Sequence, residues 1–287
     1  MKIIKLLVKN KKITVTAAAV VALAAIFLMI VSLFGSQEIK AADTVKLSEL
    51  TKAQDITLIA HRGLSSQAPE NTIPAFELAA KKGFKTVEFD IQPTKDGVWV
   101  LSHDDTLQRM TDGHGKIADR TYYDLADFTV DNGANIEKYK NLKMPSLDDA
   151  LECCLKNGLA PVIEIEDFDN KSIKRLSRTV INYGFEDSCQ IVSFNHEALE
   201  AVKKENPNFS LVYLVTELDD DKMTECLENP DMGVSFKADP KHNSTEKVKK
   251  LLSNDMKLYC GAVDGKDNLD YYYKAGVRSF VSDIIIP

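Results

Sequence analysis

Along residues 44–287, short apolar runs alternate with stretches whose apolar positions recur every three or four residues. The short runs fall at 57–60, 86–92, 98–102, 160–166, 190–194, 211–215, 232–236, 257–263 and 279–283, and they predict strands. Helical spacing at 73–82, 147–156, 171–183, 196–205, 222–228, 245–254 and 268–275 predicts helices between them. Thr72 stands where the first helix wants a cap, and Pro74 is tolerated in its first turn. Repeated strand–helix alternation predicts a parallel sheet, and this many units predicts closure into a TIM-type (β/α)8 barrel. An open doubly wound sheet is the competing architecture, but no G-x-G-x-x-G follows any of the runs, which argues against a dinucleotide fold.

One connection departs from this pattern. Only Pro93, Thr94, Lys95, Asp96 and Gly97 separate the second run from the third, whereas a parallel crossover needs about a dozen residues or more. Asp96-Gly97 is a hairpin signal. An antiparallel hairpin there returns His103 towards Glu88 and groups Glu88, Asp90 and His103 in one place.

The N-terminal pattern is different in kind. From residue 13 to residue 34 there is no charge, and Ala, Val, Leu and Ile dominate. At about 1.5 Å per residue such a run spans a hydrocarbon core of about 30 Å. Lys2, Lys5, Lys9, Lys11 and Lys12 precede it, so the N-terminus is expected in the cytoplasm and the rest outside. Neither Ala41 nor Ala42 follows a good cleavage context, because Ile39 and Lys40 occupy the −3 positions. The expected organisation is a Lys-rich end with a retained transmembrane helix over 1–43 and a barrel over 44–287, anchored in the cell membrane by a single span.

Charge then narrows the partners. The net charge is −7, but residues 1–42 hold six Lys against Glu38, which leaves 30 basic and 42 acidic side chains (−12) in the remainder. A body that acidic repels phosphate backbones, so no nucleic acid is expected as a partner. The five Cys form no C-x-x-C pattern and read as buried apolar thiols.

Candidate chemistry gathers at the ends of the apolar runs. The first run stops at His61-Arg62-Gly63, placing an imidazole and a guanidinium where a barrel's active-site loops begin. A guanidinium fork suits a phosphate because it donates two parallel hydrogen bonds. In the next run, alternation puts Glu88 and Asp90 on one face with Phe89 opposite, and Glu164 and Glu166 repeat the device. Paired carboxylates inside apolar runs are costly without a cation, and oxygen donors favour a hard ion, Ca²⁺ or Mg²⁺. His103 closes the hairpin and, with His61, offers a base and an acid. His114, His196 and His242 lie in polar contexts and are expected at the surface.

His61-Arg62-Gly63, Ala68-Pro69-Glu70-Asn71-Thr72, Glu88-Phe89-Asp90, Lys95-Asp96-Gly97 and His103-Asp104 resemble, in order and spacing, the glycerophosphodiester phosphodiesterases. Weaker matches follow at Ile163-Glu164-Ile165, Ser193-Phe194-Asn195 and Gly276-Val277 with Ser282-Asp283, so the likeness covers residues 57–287. The resemblance implies hydrolysis of a glycerophosphodiester to glycerol 3-phosphate and an alcohol at the C-terminal ends of the barrel strands. It implies that His61 and His103 are the general base and acid, that Arg62 grips the phosphate, and that Glu88, Asp90 and Glu164 hold one Ca²⁺ or Mg²⁺. It assigns supporting roles to Glu70, Asn71 and Pro69.

Two positions depart from the family. Where it carries Lys two residues after the third carboxylate, this chain has Glu166, and Lys237 is the candidate to replace that charge. Where it carries an aromatic-Thr-Val-Asn run, this chain has Gly261-Ala262-Val263-Asp264, so the aromatic wall is either missing or supplied by Tyr259 or another residue. Two other readings stay open at this point: a phospholipase D-like enzyme acting on lysolipids, and a non-catalytic phosphodiester-binding module.

Overall fold

The computed structural model describes residues 55–285. The span expected over 13–34 lies outside them, and among the described residues no helix is long and apolar enough to cross a membrane. Nine strands are described: β1 (Thr57–Ala60), β2 (Thr86–Pro93), β3 (Trp99–Leu101), β4 (Ala160–Ile165), β5 (Gln190–Ser193), β6 (Ser210–Val215), β7 (Gly233–Lys237), β8 (Leu258–Gly261) and β9 (Ser279–Ser282). The helices are α1 (Ile73–Lys82), α2 (Tyr122–Leu125), α3 (Leu147–Asn157), α4 (Asn170–Asn182), α5 (His196–Glu205), α6 (Asp220–Glu228), α7 (Thr245–Leu252) and α8 (Lys266–Ala275).

All strands but β3 form a parallel ring in the order β1-β2-β4-β5-β6-β7-β8-β9, and β1 closes it by pairing with both β2 and β9. The expected eight-stranded barrel is therefore present. Strand β3 pairs antiparallel with the end of β2, Ile91 facing Leu101, which is the hairpin that Asp96-Gly97 announces.

The near-continuous apolar runs are explained by two buried faces. Along β4, Val162 joins a cluster inside the barrel with Ile59, Val192, Val212 and Tyr259, whereas Ile163 and Ile165 pack outward among the helices. Along β2, Val87, Phe89 and Ile91 take the outer face, and Phe89 meets Phe76 of α1 at 5.2 Å between ring centroids. Glu88, Asp90 and Glu164 are consequently the inward residues of their strands. Helix α4 shows the complementary device, burying Ile173, Leu176 and Val180 at helical spacing while Asp169 accepts hydrogen bonds from the first-turn amides.

Thr72 corrects one expectation. It occupies the cap position of α1 but makes no capping bond; its hydroxyl donates to the Pro69 carbonyl at 2.6 Å and closes the preceding loop instead. Residues 102–146, between β3 and α3, form an inserted segment whose Leu107, Ile117 and Leu125 build a small core with Val100 of β3, packed against Tyr122 and Phe128. All five Cys are buried and free, as the apolar-thiol reading expects. His114 is exposed, but His196 and His242 are half-buried, His196 edge-on to Tyr213 and His242 bonded to Asp239.

Candidate active site

The chain leaves β1 through a sharp turn. Arg62 takes a left-handed backbone conformation (φ 54°) and Gly63 follows at φ 80°. A side chain at Gly63 would meet the Ala75 Cβ at 2.6 Å, so only glycine lets the loop pass the start of α1. The turn places the Arg62 amide 2.8 Å from Glu88 Oε2, to which it donates. Its side chain runs back over the barrel mouth, with Nε 3.0 Å from Asp90 Oδ2 and Nη1 2.9 Å from Glu70 Oε1. Asn71 clamps Asp90 from both sides: Nδ2 donates to Asp90 Oδ2 at 2.7 Å, and Oδ1 accepts from the Asp90 amide at 3.1 Å.

Strand register assembles the carboxylates. Asp90 lies beside Glu164 across the β2–β4 ladder, and Glu88 sits two residues below Asp90. One oxygen from each of Glu88, Asp90 and Glu164 falls within 4.8 Å of the others. Glu88 Oε1 and Asp90 Oδ1 are buried without a hydrogen-bond partner. Burial, then the charges of Asp90 and Glu164, push the Glu88 carboxyl well above the usual range. Burial, Asp90 and Glu166 do the same to Glu164. Orphaned oxygens on mutually repelling carboxylates fit a hard divalent cation, which would take up lone pairs that no protein donor reaches.

Two histidine–aspartate pairs flank this triad. His61 Nδ1 is 2.7 Å from Asp283 Oδ1. Although burial opposes it, the hydrogen bond from His61 holds Asp283 below its ordinary range, so the carboxylate is charged and can only accept. Nδ1 therefore carries the proton, and Nε2, 3.9 Å from Glu88 Oε2, is the basic nitrogen. Ser65 donates to the same Asp283 oxygen at 2.7 Å. His103 repeats the arrangement with Asp104, Nδ1 to Oδ1 at 2.9 Å, and its Nε2 is 3.9 Å from Glu166 Oε1. Asp283 appeared in the sequence only as part of a weak terminal match; its partnership with His61 spans 222 positions and has no local signal. Asp283→Asn is expected to lower kcat about 10²-fold by removing the acceptor that fixes the His61 tautomer, with steady-state kinetics as the check. A kcat within twofold of wild type would show that His61 does not depend on it.

The remaining expected residues take different places. Glu70 accepts from Arg62 and also from Arg109 (2.8 Å), a residue the sequence reading missed. Lys237 is exposed at the end of β7 and lines the same cavity as His61, Arg62, Glu88, His103 and Glu164. Glu166 borders a neighbouring groove with Phe194 and Asn195, and burial followed by the Asp90 charge pushes its carboxyl up to about 8. Tyr259, the second residue of β8, lines that cavity too, packed with Ile59 and Val212 inside the barrel. Phe194, 57% exposed just after β5, is a further aromatic side chain on that cavity.

Residues 61–286 match the Glycerophosphoryl diester phosphodiesterase family. A glycerophosphodiester phosphodiesterase of Caldanaerobacter subterraneus subsp. tengcongensis is 31% identical over 244 residues, which cover 79% of this chain and 93% of that protein. Human glycerophosphodiester phosphodiesterase 1 is 34% identical over 137 residues, 47% of this chain and 41% of that protein. Among solved structures, an Oleispira antarctica phosphodiesterase in complex with the product sn-glycerol-3-phosphate superposes with a TM-score of 0.73 at 26% identity, covering 80% of this chain and 94% of that one. With its strand-end histidines, arginine and carboxylates set in a closed barrel and matched along most of its length, the chain belongs to the glycerophosphoryl diester phosphodiesterase family of enzymes.

Proposed function

We propose that this enzyme hydrolyses glycerophosphodiesters to glycerol 3-phosphate and an alcohol, with one divalent cation, Ca²⁺ or Mg²⁺, at the outer face of a membrane to which residues 13–34 anchor it. The observation that carries the reading is the pair of His–Asp couples flanking a carboxylate triad and Arg62 over one cavity. Phosphodiester cleavage needs the equatorial oxygens neutralised, a nucleophile deprotonated and a leaving alkoxide protonated. Glu88, Asp90 and Glu164 would hold the cation, which when bound neutralises charge on the phosphoryl oxygens. Arg62 supplies the other positive charge, its guanidinium aimed by Asp90 and Glu70. His61 Nε2 takes the nucleophile's proton, and His103 gives a proton to the departing alcohol.

The test is release of glycerol 3-phosphate from glycerophosphocholine by the full-length protein in detergent, first with EDTA and then with Ca²⁺ or Mg²⁺ restored. Cation-dependent release is the expected result; none with either ion ends the reading. Protease accessibility of the barrel on intact cells tests its expected position outside.

Glu166 supplies a prediction of its own. The carboxyl of Glu166, beside His103 and close to Asp90, stands where the family carries Lys, so this position lacks the family's cation. Glu166→Lys is expected to lower KM for small glycerophosphodiesters several-fold, because it adds a positive charge that attracts the phosphate. An unchanged or raised KM would mean that residue 166 does not feel the phosphate.

One observation favours the lysolipid reading. The same cavity, of about 520 Å³, has a mostly apolar inner wall, with Ile59, Val162, Val192, Val212, Leu214 and Val281 outnumbering Gln190 and Ser235. Lysophosphatidylcholine turned over faster than glycerophosphocholine, with lysophosphatidate as product, would establish that alternative.

A further inference from the structure

Arg109 lies in the inserted segment, 40% exposed, and touches neither the carboxylate triad nor the cavity wall. Its contacts nevertheless reach both working arms of the site. Nη2 donates to Glu70 Oε1 at 2.8 Å, the same oxygen that accepts from Arg62 Nη1 at 2.9 Å. Nε donates to Asp104 Oδ2 at 2.6 Å and Nη2 to Asp104 Oδ1 at 3.0 Å, a side-on fork that uses both oxygens of that carboxylate. Asp104 Oδ1 in turn meets His103 Nδ1 at 2.9 Å. An unbroken chain of charge-assisted contacts thus runs from Arg62 through Glu70, Arg109 and Asp104 to His103.

We infer that Arg109 is a positioning residue that sets the phosphate-gripping arm, Arg62, and the proton-donating arm, His103, against one another. The inference rests on the hydrolase reading for its kinetic consequences but not for its geometry. A planar guanidinium can hold two carboxylates at fixed mutual angles, which the single point charge of lysine cannot. Among the described residues, Arg109–Glu70 is the ion pair that joins the inserted segment to the loop carrying Arg62. The backbone on either side is tethered for the purpose: Asn132 Nδ2 donates to the Arg109 carbonyl at 2.8 Å, and Asn135 Nδ2 to the Gln67 carbonyl at 3.0 Å. Asp104 and His103 are themselves partly exposed, with side chains 25% and 43% accessible, so packing alone does not orient them. Without Arg109, Glu70 loses the second cation that fixes its Oε1, so Arg62 is left with Asp90 as its one fixed anchor, and Asp104 loses the fork that aims it at His103.

The test is Arg109→Ala in the full-length protein, assayed with glycerophosphocholine at saturating cation. Both KM and kcat are expected to worsen about tenfold, as for residues that orient a working group from behind it. Guanidinium ion, well below denaturing concentrations, is expected to restore both where the same concentration of sodium chloride does not, and Arg109→Lys is expected to restore neither fully. Unchanged kinetics in a folded variant overturn the inference. So do losses that follow a lowered melting temperature and resist guanidinium, since they assign Arg109 to holding the inserted segment together. A substrate-free readout separates this from the hydrolase reading: the Arg62 Nε–H and His103 ring nitrogen resonances are expected to shift in Arg109→Ala. If they shift while the wild type turns over no glycerophosphodiester, the hydrolase reading fails and the positioning role stands; if they do not shift, the positioning role fails whatever the turnover.

Discussion

Replacing His61 by Ala is expected to lower kcat for glycerophosphodiester hydrolysis about 10³-fold, in the middle of the range for loss of a general base, and to change KM little. The asymmetry follows from geometry. Arg62 is held by Asp90 and Glu70, not by His61, so the phosphate grip survives the substitution. Asp283 keeps Ser65 as a partner, and its backbone carbonyl still accepts from the Ser66 amide, so the end of β9 is not released. The loss is confined to the nitrogen that takes the nucleophile's proton. Steady-state kinetics alongside thermal melting decide it: a kcat within tenfold of wild type removes His61 from proton transfer, and a KM that rises as much as kcat falls makes it a binding group instead.

The second large effect concerns the carboxylates without their counter-ion. Burial and mutual repulsion raise Glu88 and Glu164 well above the ordinary carboxyl range, and burial with the Asp90 charge brings Glu166 up to about 8. The cation-free folded state therefore keeps protons that the unfolded chain gives up near pH 4.3, the ordinary Glu value, to within about a unit. A group whose pKa rises on folding stabilises fully below its unfolded pKa and loses that contribution as pH climbs through the folded one. Stability after EDTA treatment is thus expected to be highest on the acid side and to fall between about pH 4.5 and pH 8. Cation binding requires the ionised carboxylates, so Ca²⁺ or Mg²⁺ is expected to restore the loss most strongly at the alkaline end. At a hundredfold excess over Kd the gain is about 2.7 kcal/mol. For a domain of this size that corresponds to about 5–10 °C in Tm. Calorimetry at pH 6 and pH 8, with and without cation, tests both the slope and its reversal. Glu164→Gln is expected to flatten the slope and weaken the response to cation together. A melting temperature indifferent to both ions at pH 8 would mean that the triad holds no cation.

Much of this architecture was legible before any coordinates. Apolar runs and helical spacing place β1 and α1 to the residue, and β4 and α4 to within one, because burial on two faces or on one stripe leaves a period in the chain. Five residues between two runs, with Asp96-Gly97 among them, exclude a crossover and leave a hairpin, as Ile91 opposite Leu101 shows. That Glu88 shares a face with Asp90, and Glu164 with Glu166, is readable from strand alternation alone. These are local properties, settled within about ten residues of chain by sterics and by the period of each element.

Distance along the chain defeats that kind of reading. Asp90 sits beside Glu164 only because β2 and β4 pair in one register, and a shift by one residue would turn the carboxylates to the helices. Asp283 reaches His61 only because β9 closes the ring against β1. Arg109 joins Glu70 to Asp104 only because the inserted segment folds back over the barrel mouth. Thr72 serves the preceding loop in place of its helix for a similar reason: the Pro69 carbonyl lies within its reach once the loop is formed. The sequence by itself determined the elements of the barrel, which of their polar residues share a face and which family's motifs they carry, but not the short helix α2 of the inserted segment. The tertiary structure alone decided which of those polar groups meet, since a period specifies the face of an element but not its partner, and partners are set by register and ring closure.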